Sequence, residues 1–285
     1  MSRDPTRSRS RVVLVGTPIG NLDDVSPRAQ ATLADADVVA AEDTRHTGRL
    51  LAHLGIDAAQ VSYHDHNESS RAAELVARAA AGETVAVVSD AGTPSVADPG
   101  LALVRAAVDA GVPVEAVPGP AAFLLALVLS GLPTDRFAFE GFLPRQRGAR
   151  RRHLAALADE PRTLVWYVAP HRAAAELADA ADALGQHRRA ALARELTKRF
   201  EEVRRGPLGE LAQQVASDPP RGELTLVVAG AVQERAGEAD LDALVAEVQR
   251  READGVAMAQ AVREVAAAHG VRRRALYEAV LAARG

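Results

Sequence analysis

The feature that most constrains this chain is a repeat of short apolar runs and amphipathic helices over its first 130 residues. The runs are Val12–Val15, Val38–Ala41, Val61–Tyr63, Val85–Ser89 and Val114–Val117. The intervening stretches, Ser26–Ala36, Thr44–Leu54, Ser70–Ala81, Leu101–Ala110 and Ala121–Leu129, carry helical spacing, and the last four end at or near Gly55, Gly82, Gly111 and Gly131. Glycine just past a helix supplies the left-handed turn that stops it. Ser26 is placed as an N-cap, with Pro27 at the first helical position. Strands that are apolar throughout, such as Val85–Val88, belong to a sheet covered on both faces. The alternation therefore predicts α/β architecture with a parallel sheet.

Leu132-Pro133-Thr134-Asp135 reads as a boundary, and the remainder is more mixed. Strands are expected at Phe137–Phe142, Thr163–Val168, Ala190–Leu196, Glu202–Arg205 and Glu223–Ala229, with helices at Arg150–Ala158, Ala173–Leu184 and Leu208–Ala216. This gives a basic disordered tail over 1–11, one α/β domain over 12–133, a second over 134–232 with a mixed sheet, and a helical module over 238–285. The module reads as helices at Leu241–Arg251, Ala257–His269 and Arg272–Ala283, with a tight turn at Gly270-Val271 like that of a helix-turn-helix. The chain has 285 residues and no cysteine, which excludes thiolate catalysis, a disulfide scaffold and cysteine-rich zinc. No apolar run is long enough to span a membrane and no signal peptide is read, so no membrane partner and a cytoplasmic location are expected.

Ligands of parallel sheets sit beyond the carboxyl ends of the strands. Here those loops are Gly16–Asn21, Glu42–Arg45, His64–Glu68, Ser89–Pro94 with Asp98–Gly100, and Pro118–Ala122. They lack Gly-x-Gly-x-x-Gly and Gly-x-x-x-x-Gly-Lys, so the usual dinucleotide and triphosphate cradles are missing. They carry Asp43, Asp65, Asp90 and Asp98 instead, which suits a ligand with hydroxyls, an ammonium or another cation. S-adenosylmethionine combines a ribose diol, an amino acid end and a sulfonium. Small residues and proline let backbone approach a flat adenine closely.

These loop motifs, with Ser130-Gly131-Leu132, Phe139–Arg145, Pro170-His171-Arg172 and Glu195–Glu202, closely resemble the tetrapyrrole methylase superfamily. Within it they are most similar to the group that 2′-O-methylates a cytidine of 16S rRNA in the decoding region. The resemblance covers Val12 to Gly230. It implies two α/β domains with S-adenosylmethionine in the cleft between them, and a homodimer acting on the small ribosomal subunit. By motif, Pro18 would line the methionine end of the cofactor, Asp90, Gly92, Thr93, Pro94 and Val96 would line the loop under it, and Ala121 and Ala122 would sit near its sulfur. From the second domain Trp166, Tyr167 and Leu196 would close over adenine, although Trp166 equally suits a strand core. One departure is Val168, where the group usually has a glutamate.

The 34 basic residues include a single lysine, Lys198. Unlike arginine, a lysine can give up its proton. A ribose 2′-hydroxyl needs either a proton acceptor or a cation beside the developing alkoxide. Lys198 is the candidate for one of these roles, with Glu195 or Asp43 orienting it; the alternative is a structural pair with Glu201 or Glu202. Net charge is −4, but Arg145, Arg147, Arg150, Arg151 and Arg152 form a basic run fit to track RNA, or else a solvated face. No metal is expected, since His64, Asp65 and His66 lack a third ligand at suitable spacing. The competing functions are methylation of a porphyrin or corrinoid carbon, and a non-catalytic RNA-binding role in ribosome assembly.

Overall fold

A computed structural model describes residues 10–231, 241–269, 271 and 273–283. The chain divides into two compact units, one reaching to Ala229 and one beginning at Gly230. Most of the expected tail and linker, together with Gly270 and Arg272 of the helix-turn-helix reading, lie outside the described residues. Arg11, read as tail, is already the first residue of β1.

The first unit holds two sheets. β1 (Arg11–Val15), β2 (Val38–Ala41), β3 (Gln60–Ser62), β4 (Thr84–Val88) and β5 (Val114–Val117) form one sheet in the order β3-β2-β4-β1-β5. Every pairing in it is parallel. Successive side chains on a strand point to opposite faces. Val12, Val38, Val85 and Val87 therefore pack with Leu75 and Leu103 on one side. Val13, Val39, Ala86 and Val88 pack with Ala29, Leu33 and Leu51 on the other. The covering helices are α1 (Pro27–Asp35), α2 (Thr44–His53), α3 (Glu68–Ala80) and α4 (Leu101–Asp109). Ser26 caps α1, its Oγ accepting from Ala29 N at 3.1 Å.

α5 (Ala122–Ser130) is apolar nearly all round, and it serves the second sheet. Ala126 and Leu127 pack against Val165, Ala193 and Val227 of that sheet, along with Ile19 from the first. The second sheet comprises β6 (Phe137–Phe142), β7 (Thr163–Val168), β8 (Arg189–Arg194), β9 (Glu202–Pro207) and β10 (Leu224–Val228), in the order β6-β7-β10-β8-β9. Its β6–β7 pairing is parallel and the others antiparallel. The face away from α5 is covered by α6 (Arg147–Ala156), α7 (Ala173–Leu184) and α8 (Leu208–Ser217), with Leu154, Leu177, Leu208 and Leu211 in its core.

Two expectations change here. Trp166 does not close over a ligand: it is 0% exposed within the core beneath α7 and α8. Its neighbour Tyr167 points the other way, as the alternation of a strand requires. Arg150 is not an open RNA contact. It is 4% exposed, and its Nε and Nη2 lie 2.9 and 2.6 Å from Asp179 Oδ2 on α7. Removing one partner of such a buried pair strands the other charge. Arg147 also reaches Asp179, at 3.3 Å, while remaining mostly exposed, and Arg145, Arg151 and Arg152 are exposed.

The second unit contains α9 (Leu241–Ala253), α10 (Met258–Ala268) and α11 (Arg273–Ala282). Leu244, Val248, Val262, Val265, Leu276 and Val280 make its own core. No helix among the described residues is long and apolar enough to cross a membrane.

Candidate active site

A cavity of about 570 Å³ opens where the carboxyl ends of the parallel strands face the second sheet. The first sheet contributes loops. Ile19 follows β1, Glu42 follows β2, Asp90 to Thr93 with Val96 and Asp98 follow β4, and Ala121 and Ala122 follow β5. The loops are joined through backbone. Thr17 and Gly92 exchange N–H···O bonds of 2.8 and 3.1 Å. A Cβ on Gly16 would stand 2.6 Å from Gly119 Cα, so glycine at both positions lets two loops touch. Pro18 and Pro94 are buried within these loops and do not line the cavity, their expected place.

The loop floor is acidic. Asp90 Oδ1 accepts from Asp43 N at 3.0 Å, and Glu42 Oε2 accepts from Asp90 N at 3.3 Å. Burial, reinforced by the nearby charge of Glu42, pushes the Asp98 carboxyl up to about 6. Burial also raises Glu42, more than its bond to Asp90 N lowers it. Carboxyls crowded this way favour a cationic ligand or hydroxyl donors. Among the described residues, the non-glycine residues with positive φ are Ser95, Ala97, Glu195 and Thr197. All stand in the two turns that border the site, where backbone strain tends to collect.

The second sheet contributes side chains. Phe142 and Tyr167 form one wall with ring centroids 5.3 Å apart, and Phe123 of α5 stands nearby, stacked on Phe139 at 4.4 Å. Phe123, Phe142 and Tyr167 line the cavity and take the place expected for Trp166 and Leu196; Leu196 is buried behind it. Val168 is at the cavity wall, but its side chain is buried with Leu164 and Trp166 in the core on the other face of β7.

Lys198 lies at the edge. A tight turn places it, Lys198 N donating to Glu195 O at 3.0 Å. Its Nζ is 2.9 Å from Glu195 Oε1 and 3.2 Å from Glu223 Oε2. Glu195 Oε1 also accepts from Glu223 N at 2.9 Å, and Gly222 leaves the room that the Glu195 carboxylate fills. Burial alone would lower the Lys198 amine. The hydrogen bond to Glu195 and the Glu223 charge outweigh it and raise the amine above its ordinary value. Lys198 is therefore an ammonium at neutral pH, which removes the reading of it as a burial-lowered base. Its partners are not Glu201 or Glu202. Nor does Asp43 orient it: that carboxyl caps α2 and is held down at about 2, first by the Arg45 guanidinium and then by Arg45 N.

Glu223 lines the cavity and touches Lys198, yet it was absent from the residues singled out in the sequence. The available signal was Gly222-Glu223 directly before the apolar run of β10. His64 and His66 meet edge to face at 5.8 Å, and no cluster suited to a metal stands among the described residues.

The fold and the cleft are those of one enzyme class: the family model for Tetrapyrrole (Corrin/Porphyrin) Methylases matches residues 11–212. Uroporphyrin-III C-methyl transferase from Thermus thermophilus, solved in complex with S-adenyl homocysteine, is 26% identical, covers 77% of this chain and 97% of its own, and superposes with a TM-score of 0.56. Proteins named ribosomal RNA small subunit methyltransferase I are nearer in sequence. The one from Pseudomonas aeruginosa is 46% identical over 98% of this chain and 99% of its own. That from Mycobacterium tuberculosis is 51% identical over 97% and 96%. The chain belongs to the tetrapyrrole methylase family, in its ribosomal RNA small subunit methyltransferase I branch.

Proposed function

We propose that this chain transfers a methyl group from S-adenosylmethionine to 16S rRNA, at the ribose 2′-oxygen of a cytidine in the decoding region. The observation that carries the reading is the placement of the Lys198–Glu195–Glu223 group at the rim of an acidic, aromatic-walled cavity. The cavity residues fit the donor. Gly92, Ala121 and Ala122 keep side chains out of the way, while Asp90 and Asp98 offer carboxyls to hydroxyls and positive charge. Phe142 and Tyr167 offer flat surfaces for a base. Bound S-adenosylmethionine supplies an electrophilic methyl whose leaving thioether needs no acid.

What remains for the chain is alignment and the acceptor proton. Lys198, held charged, stabilises negative charge growing on the acceptor oxygen. Glu195 is committed to Lys198 and to Glu223 N and so holds the lysine in position. Glu223 is mostly exposed and faces the cavity, which makes it the carboxylate able to receive the proton. The same reading places the enzyme in the cytoplasm as a homodimer, for which the exposed Leu124, Val128 and Leu129 of α5 offer an apolar face.

The test is to incubate the chain with methyl-labelled donor and small subunits from a strain lacking the modification, then map the label by nuclease digestion and mass spectrometry. Label on a cytidine ribose is the expected result. Label on a base, or none on RNA while a tetrapyrrole accepts it, overturns the reading.

A further inference from the structure

A second groove, of about 790 Å³, opens beside the cavity and shares Pro170, His171 and Gly222 with it. The two have opposite chemistry. The cavity carries Glu42, Asp90, Asp98 and Glu223, whereas the groove carries Arg194, Arg204 and Arg221, with Asp218 as its acid. We propose that this groove seats a phosphodiester of the RNA strand next to the nucleotide being methylated. The inference rests on the RNA reading above and names residues for it.

The argument begins with covalent adjacency. An acceptor sugar brought to Glu223 and Lys198 is followed within one bond or two by a phosphate. On the cavity side that phosphate would meet carboxylates. On the groove side, immediately past Gly222, it meets guanidinium groups. Arg194 and Arg204 are part of the wall. Arg194 Nε donates to Arg221 O at 2.8 Å, and Arg204 Nε lies 2.9 Å from Glu202 Oε1 with its Nη2 3.7 Å from Asp218. Arg221 differs. Its side chain is exposed and makes no hydrogen bond or ion pair among the described residues. Its backbone is nonetheless held, since its carbonyl accepts from Arg194 and it follows Pro219-Pro220, where ring closure fixes φ. A free guanidinium on a fixed backbone is suited to two parallel bonds to phosphate oxygens.

The groove also accounts for how an acidic cavity accepts a polyanion. The strand need not enter the cavity. Only the sugar at the boundary faces the donor, while the backbone runs over arginines. Such contacts position RNA without reading its bases.

The experiment uses Arg221→Glu and Arg221→Ala in the full chain, with unmethylated small subunits as substrate and S-adenosylhomocysteine as the calorimetric probe. Wild-type transfer to RNA is measured first. The expected result is a KM for subunits raised about tenfold or more in the glutamate variant and severalfold in the alanine variant. Affinity for S-adenosylhomocysteine stays within about twofold, and the salt slope of RNA binding falls by about one. An unchanged KM and salt slope in both variants, with wild-type enzyme active on RNA, overturn the groove alone. A wild-type chain that binds S-adenosylhomocysteine but transfers nothing to RNA overturns the function, and the groove with it.

Discussion

The two sheets build the cavity by different means. The first presents backbone: strand-end loops of glycine, alanine and proline, tied together by the Thr17–Gly92 exchange and the Gly16–Gly119 approach. The second presents side chains, with Tyr167 and Phe142 as a wall and Lys198, Glu195 and Glu223 as a charged rim. The difference teaches where binding and chemistry divide. The parallel sheet shapes a receptacle that depends little on side-chain identity beyond smallness and acidity. In the function proposed here, the mixed sheet holds the charged groups that would act on the acceptor oxygen.

Four tests strain this division, from the largest expected effect to the smallest. Trp166→Ala removes a fully buried ring from the second sheet and should cost about 3–5 kcal/mol in stability, read as a lower urea midpoint. Tyr167→Ala, one residue on but facing the cavity, should lower donor affinity with a much smaller stability loss. Equal effects of the two would show that the strand's faces are not separated as described. Next, Lys198→Ala should reduce methyl transfer by about two to three powers of ten, as for loss of a group that stabilises developing negative charge, with S-adenosylhomocysteine affinity kept within about twofold. Full activity would place the chemistry elsewhere.

Third, Arg151→Glu with Arg152→Glu should raise the KM for subunits severalfold and leave melting unchanged, because both are exposed. No change would make this part of the run a solvated face. Smallest is Asp98→Asn on the first sheet's side. The Asp98 carboxyl titrates at about 6 when folded, owing to burial and Glu42, against an unfolded value of about 3.9. The folded state thus holds that proton more tightly. The gain is full below about pH 4 and is lost as pH rises through 6, leaving a buried charge at pH 8. Asp98→Asn should therefore stabilise the ligand-free chain by about 1 kcal/mol at pH 8, after allowing for solvent screening, and by little at pH 4. Urea unfolding at both pH values checks the sign.

The same division governs what could be read from the sequence. β2 and β5 lie where their apolar runs fall, and the loops after β1, β2, β4 and β5 meet as parallel topology demands. In a parallel sheet the site is fixed by strand direction, so consecutive loops announce it. The second sheet hides more. Leu164 to Val168 is apolar throughout, and a strand covered on both faces gives no alternation to say that Trp166 turns inward and Tyr167 outward. The basic run looked unpaired because its acid, Asp179, lies on another helix 29 residues beyond Arg150. Glu223 has no local signal because its meaning depends on the antiparallel pairing of β8 with β10, which brings it to Glu195, 28 residues away.

Gly20, in the loop after β1, lies against Lys198: a Cβ there would come within 3.0 Å of the lysine Cε and 2.9 Å of Thr197 Oγ1. One missing carbon thus sets how near the loop after β1 stands to the turn that carries Lys198. A methyl group in that position would act as a wedge, prising the ammonium from its seat while altering no charge. Spacing, rather than the identity of any acid or base, is what this residue guards.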